Sequence, residues 1–197
     1  MGFLYSVCIS GELFATQAYS LMSLIPKDKT LIKKLLAEAQ EELSHACMLE
    51  KLANKLDVPF ANKILEPEWY TVLNYFKEKV KDNYFINCFI IQEVMMESLA
   101  IVIYEVLSGD GTITDAETAK LGKHILKDEI SHVDYGVDFL KQEIAIKIPL
   151  IVSAAEYLYH PIKSVMNSEP IKILKIKKKV FYRSSEQPFI INRLSTQ

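Results

Sequence analysis

Glycine, proline and cysteine are scarce in this chain: six, seven and three among 197 residues. With so few breakers, and prolines mainly between periodic segments, long helices are favoured and a loop-rich or collagen-like chain is excluded. The cysteines, Cys8, Cys47 and Cys88, are odd in number and form no Cys-x-x-Cys pair. That excludes a disulfide framework and a thiolate zinc site, and reads as small core residues in a reducing compartment. No excess of basic charge exists either: the net charge is −2, which implies no nucleic-acid partner. A basic leader is missing from Met1–Met22, and Glu12 interrupts its apolar stretch, so this segment reads as an amphipathic helix and not a signal peptide. The apolar run Phe85–Val106 is interrupted by Gln92, Glu93, Glu97 and Glu105. Ionisable groups are costly in a spanning helix, so we expect a buried bundle helix, no transmembrane span and a cytoplasmic protein.

Half of the residues are hydrophobic, enough for one domain with a sizeable core. Strand-like alternation is almost absent, and the pattern predicts an all-α up-and-down bundle. The first helix is expected over Leu4–Ser23, stopping before Pro26. The second starts near Asp28-Lys-Thr30 and runs to Leu56, with Pro59 beyond it. A shorter helix covers Glu66–Lys81, and a buried one covers Asn83–Leu107. Thr114 or Asp115 caps the next, which reaches Ile146 before Pro149. A last helix spans Leu150–Met166, broken or kinked around Pro161. The bundle domain is 1–167, and 168–197 forms a basic tail.

Two of the four histidines follow a glutamate by three residues, as Glu42-Leu-Ser-His45 and Glu129-Ile-Ser-His132. On a helix, such residues share a face and can present a carboxylate and an imidazole to one metal ion. Each pair is preceded by a helix with a glutamate in an apolar stretch, Glu12 and Glu97. A bare carboxylate beside Val94-Met-Met is strongly destabilised unless paired, neutralised or bound to metal. The spacings from Glu12 to Glu42 and from Glu97 to Glu129 are 30 and 32 positions. Two helical hairpins face to face would therefore bring Glu12, Glu42, His45, Glu97, Glu129 and His132 to one centre. This is the ligand set of a ferritin-like four-helix bundle holding two iron or manganese ions, here with additional short helices. Four carboxylates nearly balance two divalent cations, and one imidazole per ion completes a set suited to iron, or to manganese.

Other residues have two readings. Asp128 can hold the outer nitrogen of His45, and Glu41 stands to His132 in the same way, although its position also suits an exposed acid. Glu93, one turn before Glu97, is a rival for its place or an extra carboxylate. Tyr19 and Tyr104 follow Glu12 and Glu97 by seven residues, so they face the site or fill the core. His124 and His160 lack a partner pattern. Asp110–Glu117 resembles half of an EF-hand loop, but Val106 and Ser108 stand where its first acidic ligands belong, so it reads as a turn and helix start. Lys172–Arg183 carries six basic residues among apolar ones. It reads as a solvated tail, or as a peripheral contact for an anionic membrane or an acidic redox partner.

At Ile91-Gln92, at Glu97–Tyr104 and above all at Lys127-Asp-Glu-Ile-Ser-His-Val-Asp-Tyr-Gly136, the chain resembles the cyanobacterial aldehyde-deformylating oxygenase (aldehyde decarbonylase) family. Gly11-Glu12 with Tyr19, and Glu42–His45, fall where that family places its first-half ligands. The resemblance covers about residues 8–145. It implies a di-iron oxygenase that converts a long-chain fatty aldehyde to alkane and formate with dioxygen and a ferredoxin-type electron donor. It also selects Glu97 over Glu93 as ligand. Tyr19, Tyr104 and Asp128 then stand beside the reacting centre, and Phe14, Phe89, Ile90, Val94, Met95, Leu99 and Ile103 are expected walls for the acyl chain. The leading segment is shorter than the family's, and the Lys-rich tail does not match its C-terminal helices. A scaffold relative oxidising an amine or a fatty acid, or a ferroxidase handling iron, is the alternative.

Overall fold

The computed structural model describes residues 2–61, 67–109, 114–141 and 144–166. Among these residues there is no strand, and every long element is a helix. Helix α1 is Gly2–Met22 and α2 is Lys29–Lys55. Asp28 starts α2 by accepting the Thr30 N–H at 2.7 Å. At the other end Asp57 adopts a left-handed φ of 52°, and Val58 N–H donates back to Ala53 O at 2.9 Å. Helix α3, Pro67–Lys81, ends in the same way on Asn83, with φ 65° and Tyr84 N–H on Lys79 O. Both are Schellman caps built on residues that tolerate the left-handed region.

The buried rod that follows is not uniform. Helix α4, Phe85–Phe89, passes into a π-helical segment, Ile90–Met96, and then into α5, Glu97–Leu107. The Glu97 N–H donates to Gln92 O, five residues back. Long apolar composition alone would allow this rod to cross a bilayer, yet other helices bury most of it. Helix α6, Ala116–Lys141, is capped by Asp115, whose Oδ1 accepts the N–H groups of Glu117 and Thr118 at 3.0 Å. Of the two expected caps, Asp115 is the one used and also accepts the Thr118 hydroxyl, while Thr114 Oγ1 donates to Leu107 O at 2.9 Å.

Three expectations are corrected. Helix α6 ends at Lys141, and α7 spans Ile144–Met166 through both Pro149 and Pro161, so Pro149 lies inside a helix and not between two. Ile151, Ala154 and Leu158 form one buried stripe, and that burial outweighs the backbone hydrogen bonds the prolines cannot make. Helix α1 is amphipathic only in its second half; Leu4 to Ser10 is buried on every face. Cys8 and Cys88 are core residues, whereas Cys47 is exposed. Positions 110–113, part of the EF-hand-like stretch, and the basic tail 168–197 lie outside the described residues.

Short links make α1–α2 and α5–α6 two helical hairpins, and these pack into the bundle. The Tyr5 hydroxyl and Thr118 Oγ1 meet at 2.6 Å and tie α1 to α6. One apolar cluster lies around Phe14, Met22, Phe76 and Phe89; another lies around Ile9, Leu49, Tyr104 and Ile125. The acidic residues sit between them. Helix α6 comes close to the π segment at Gly136, where an added Cβ would lie 3.0 Å from Glu93 Cβ and 3.1 Å from Glu93 O. Replacing Gly136 by Ala gains at most about 1 kcal/mol of helix propensity, while the clash costs about 1–3 kcal/mol. We expect a net loss of stability in urea unfolding; an unchanged midpoint would show that the two helices can separate freely.

Candidate metal centre

The two hairpins bring one carboxylate or carboxylate–imidazole pair from each helix to the bundle centre. Glu12 comes from α1, Glu42 and His45 from α2, Glu97 from the start of α5, and Glu129 and His132 from α6. All six are buried, Glu129 completely. Their donor atoms form two overlapping sets, each within 4.8 Å: Glu12, Glu42, His45 and Glu129; and Glu42, Glu97, Glu129 and His132. Glu42 and Glu129 belong to both.

Each imidazole turns Nδ1 inward. His45 Nδ1 lies 3.4 Å from Glu12 Oε2 and 3.5 Å from Glu42 Oε2 and Glu129 Oε1. His132 Nδ1 lies 3.2 Å from Glu42 Oε1. The outer nitrogens have their own acids: His45 Nε2 is 3.4 Å from Asp128 Oδ2, and His132 Nε2 is 3.2 Å from Glu41 Oε2. A proton on each Nε2, donated to these acids, leaves the Nδ1 lone pair for the centre. Glu41 is 45 % exposed and still reaches the imidazole, so both of its readings hold together.

The glutamates are oriented in the same manner. Tyr104 donates its hydroxyl to Glu12 Oε1, leaving Oε2 turned towards His45. Tyr19 and Gln92 donate to Glu97 Oε1 at 2.8 and 2.7 Å. The π turn makes the second contact, because an i→i+5 ladder sets residues five apart above one another. The Tyr19 ring also meets the His132 ring edge-on, with centroids 6.0 Å apart. Burial, with Glu97 beside Tyr19 and Glu12 beside Tyr104, raises both phenol pKa values, so each stays a donor.

The atoms left without a hydrogen-bond partner are the ones that face inward. They include Glu12 Oε2, Glu42 Oε1, both oxygens of Glu129, and Nδ1 of each histidine. Buried polar atoms are almost always satisfied, and a cluster of lone pairs with no donor fits a cation. Carboxylate oxygens with imidazole nitrogens form a mixed set that could hold metal. In the absence of metal, protons take the place: burial opposes charge on His45, but Glu12 and Glu42 raise its pKa to about 11. His132 likewise rises to about 10 against burial, through Glu42 and Glu97, and burial with Glu42 pushes Glu12 up to about 8.

A cavity of about 60 Å³ adjoins the centre. It is lined by Gly11, Phe14, Trp69, Leu99 and Ile103, and by Glu12, Glu97 and Glu129 of the cluster. Of the residues expected as walls for an acyl chain, Phe14, Leu99 and Ile103 line this cavity. Phe89, Ile90, Val94 and Met95 do not line it; they pack in the core on other faces of the rod. Trp69 and Gln92 had no role read from sequence, nor did Glu38, which is buried one turn before Glu42. Glu93 is fully buried and belongs to neither donor set, and His124 and His160 stand outside both.

A family model described as long-chain fatty aldehyde decarbonylase matches residues 3–181, and the chain belongs to that family. The match extends beyond residue 145 through α7 and into the basic segment, further than the motifs alone indicated.

Ligation needs neutral imidazole and ionised carboxylate, while the groups that would ligate hold protons below pH values of about 11, 10 and 8. Metal uptake should therefore release protons, and the apparent affinity should rise between about pH 6 and pH 8. Titration calorimetry in buffers of different ionisation enthalpy measures this release; the same heat in every buffer would contradict it.

Proposed function

We propose that this member of the long-chain fatty aldehyde decarbonylase family holds two metal ions, iron in the first place, and converts a long-chain fatty aldehyde to the alkane one carbon shorter plus formate. Dioxygen and an external, ferredoxin-type electron donor complete the reaction. The observation that carries this reading is the double donor set sharing Glu42 and Glu129, placed directly against an apolar cavity. Atom balance sets the demands: RCHO + O2 + 4 e− + 4 H+ yields RH + HCOOH + H2O. Two iron ions would supply the redox chemistry for dioxygen at that position.

The protein's own residues would do the rest. One ion would take Glu12 and His45, the other Glu97 and His132, with Glu42 and Glu129 available to both. Tyr104, Tyr19 and Gln92 occupy one oxygen of Glu12 or Glu97, which keeps the other directed at the metal. Asp128 and Glu41 keep the imidazole protons on the outer nitrogens. Tyr19 and Tyr104 also hold the hydroxyl protons nearest the cluster, while Gly11, Phe14, Trp69 and Leu99 exclude water from the aldehyde end.

The cavity as it stands fits the reacting end of a substrate, so a long alkyl chain requires its walls to part. Gly11 marks the open side, since an added Cβ there meets nothing within 4 Å. Each excluded methylene is worth about 1 kcal/mol or more, so Gly11→Leu should raise the KM for octadecanal about tenfold or more while sparing a short aldehyde. Equal loss for both chain lengths would show that Gly11 does not border the substrate.

The reaction itself is tested by giving iron-loaded protein octadecanal, dioxygen and a reducing system, then measuring heptadecane and formate. We expect both in equal amounts. Rapid Fe(II) oxidation with neither product would refute the aldehyde reading and favour iron oxidation or another substrate.

A further inference from the structure

The six-residue cluster does not account for all of the buried acid. Glu93, on the π segment, is 0 % exposed, and no N–H or O–H donor reaches either of its oxygens. Its neighbour is the carboxylate of Glu38 on α2, 3 % exposed, whose Oε2 also lacks a donor and whose charge, after burial, helps to raise the Glu93 pKa. Glu38 and Glu93 each precede a cluster residue, Glu42 and Glu97, by one helical turn. The pair therefore lies beside the cluster, on the side where α6 is held against the rod by Gly136. Among the described residues Lys34 pairs with it, through Nζ on Glu38 Oε1, and lies 3.8 Å from the centre of the Tyr135 ring. Lys34 is itself 35 % exposed, so its side chain reaches from solvent to this buried acid.

Were both ionised, these two buried carboxylates would leave negative charge next to a centre already rich in carboxylate, and burial with Glu38 and Glu97 accordingly raises the Glu93 pKa against the pull of His132. Buried charge of this kind is paired or coordinates a cation. All the unpartnered atoms here are carboxylate oxygens, which suits a hard divalent ion. Glu93 supplies both of its oxygens and Glu38 its inner one, while Lys34 competes for the outer one.

We propose that Glu38 and Glu93 form a third divalent-cation site, adjoining the two-metal centre and reached from solvent by the Lys34 side chain. It rests on the reading of that centre as a two-metal site, and adds to it a position for a manganese(II)- or iron(II)-like ion. A shared proton between the two acids is the competing occupant.

Equilibrium dialysis of metal-free full-length protein against Mn(II), counted by electron paramagnetic resonance after acid release, separates these outcomes. The wild type should bind three equivalents. Glu93→Gln and Glu38→Gln, which keep side-chain volume, should each bind two, with helix content unchanged by circular dichroism. Lys34→Met should retain three and bind the third at least as tightly. Two equivalents in the wild type would overturn the third site alone and leave the pair sharing a proton. Three in both glutamine variants would overturn the assignment to Glu38 and Glu93. Fewer than two in the wild type would overturn the two-metal reading as well.

Discussion

The rest of the structure answers to one constraint: four glutamates and two histidines share one buried volume, and most of their inward atoms have no hydrogen-bond partner. Burying a carboxylate without a partner costs several kcal/mol, and like charges close together cannot all remain ionised. The protein meets this from outside the cluster. Tyr104 holds Glu12, Tyr19 and Gln92 hold Glu97, and Asp128 and Glu41 hold the outer nitrogens of the histidines. Every one of these contacts crosses between helices or turns of the bundle. The inward atoms stay unpaired, and only cations, whether protons or metals, can satisfy them.

That arrangement explains why the backbone departs from regular geometry where it does. The π segment Ile90–Met96 sets Gln92 above Glu97 and lets α6 come close at Gly136. Such segments are locally unfavourable and persist where surrounding packing holds them, commonly at functional sites. Here the packing is the apolar cluster around Phe14, Phe76 and Phe89, on the same side as the cavity. A site on helix interiors, flanked by apolar walls, keeps its donors oriented.

Much of this was legible along the chain because the signals are local. Pro26 and Asp28 mark the first turn, the Glu-x-x-His spacing marks one helix face, and the recurrence of about thirty residues marks two hairpins. What escaped depends on contacts distant in sequence. No residue pattern announces a π segment, since its i→i+5 bonds are selected by how α6 docks. Pro149 and Pro161 read as breaks, but Ile151, Ala154 and Leu158 hold α7 continuous. Glu38 and Glu41 are equally acidic on α2, and only the helix's rotation against its neighbours buries one and leaves the other half-exposed. The apolar faces of Phe89 and Phe14 look alike in sequence, and only packing makes one a core residue and the other a cavity wall.

The most direct test of the account is a crystal structure of the iron-loaded protein with anomalous scattering at the iron edge. The account requires two iron peaks in the central cluster, both contacted by Glu42 and Glu129, one with Glu12 and His45 Nδ1 and the other with Glu97 and His132 Nδ1. A single central peak, ligation through Nε2, or Glu93 in place of Glu97 would contradict it.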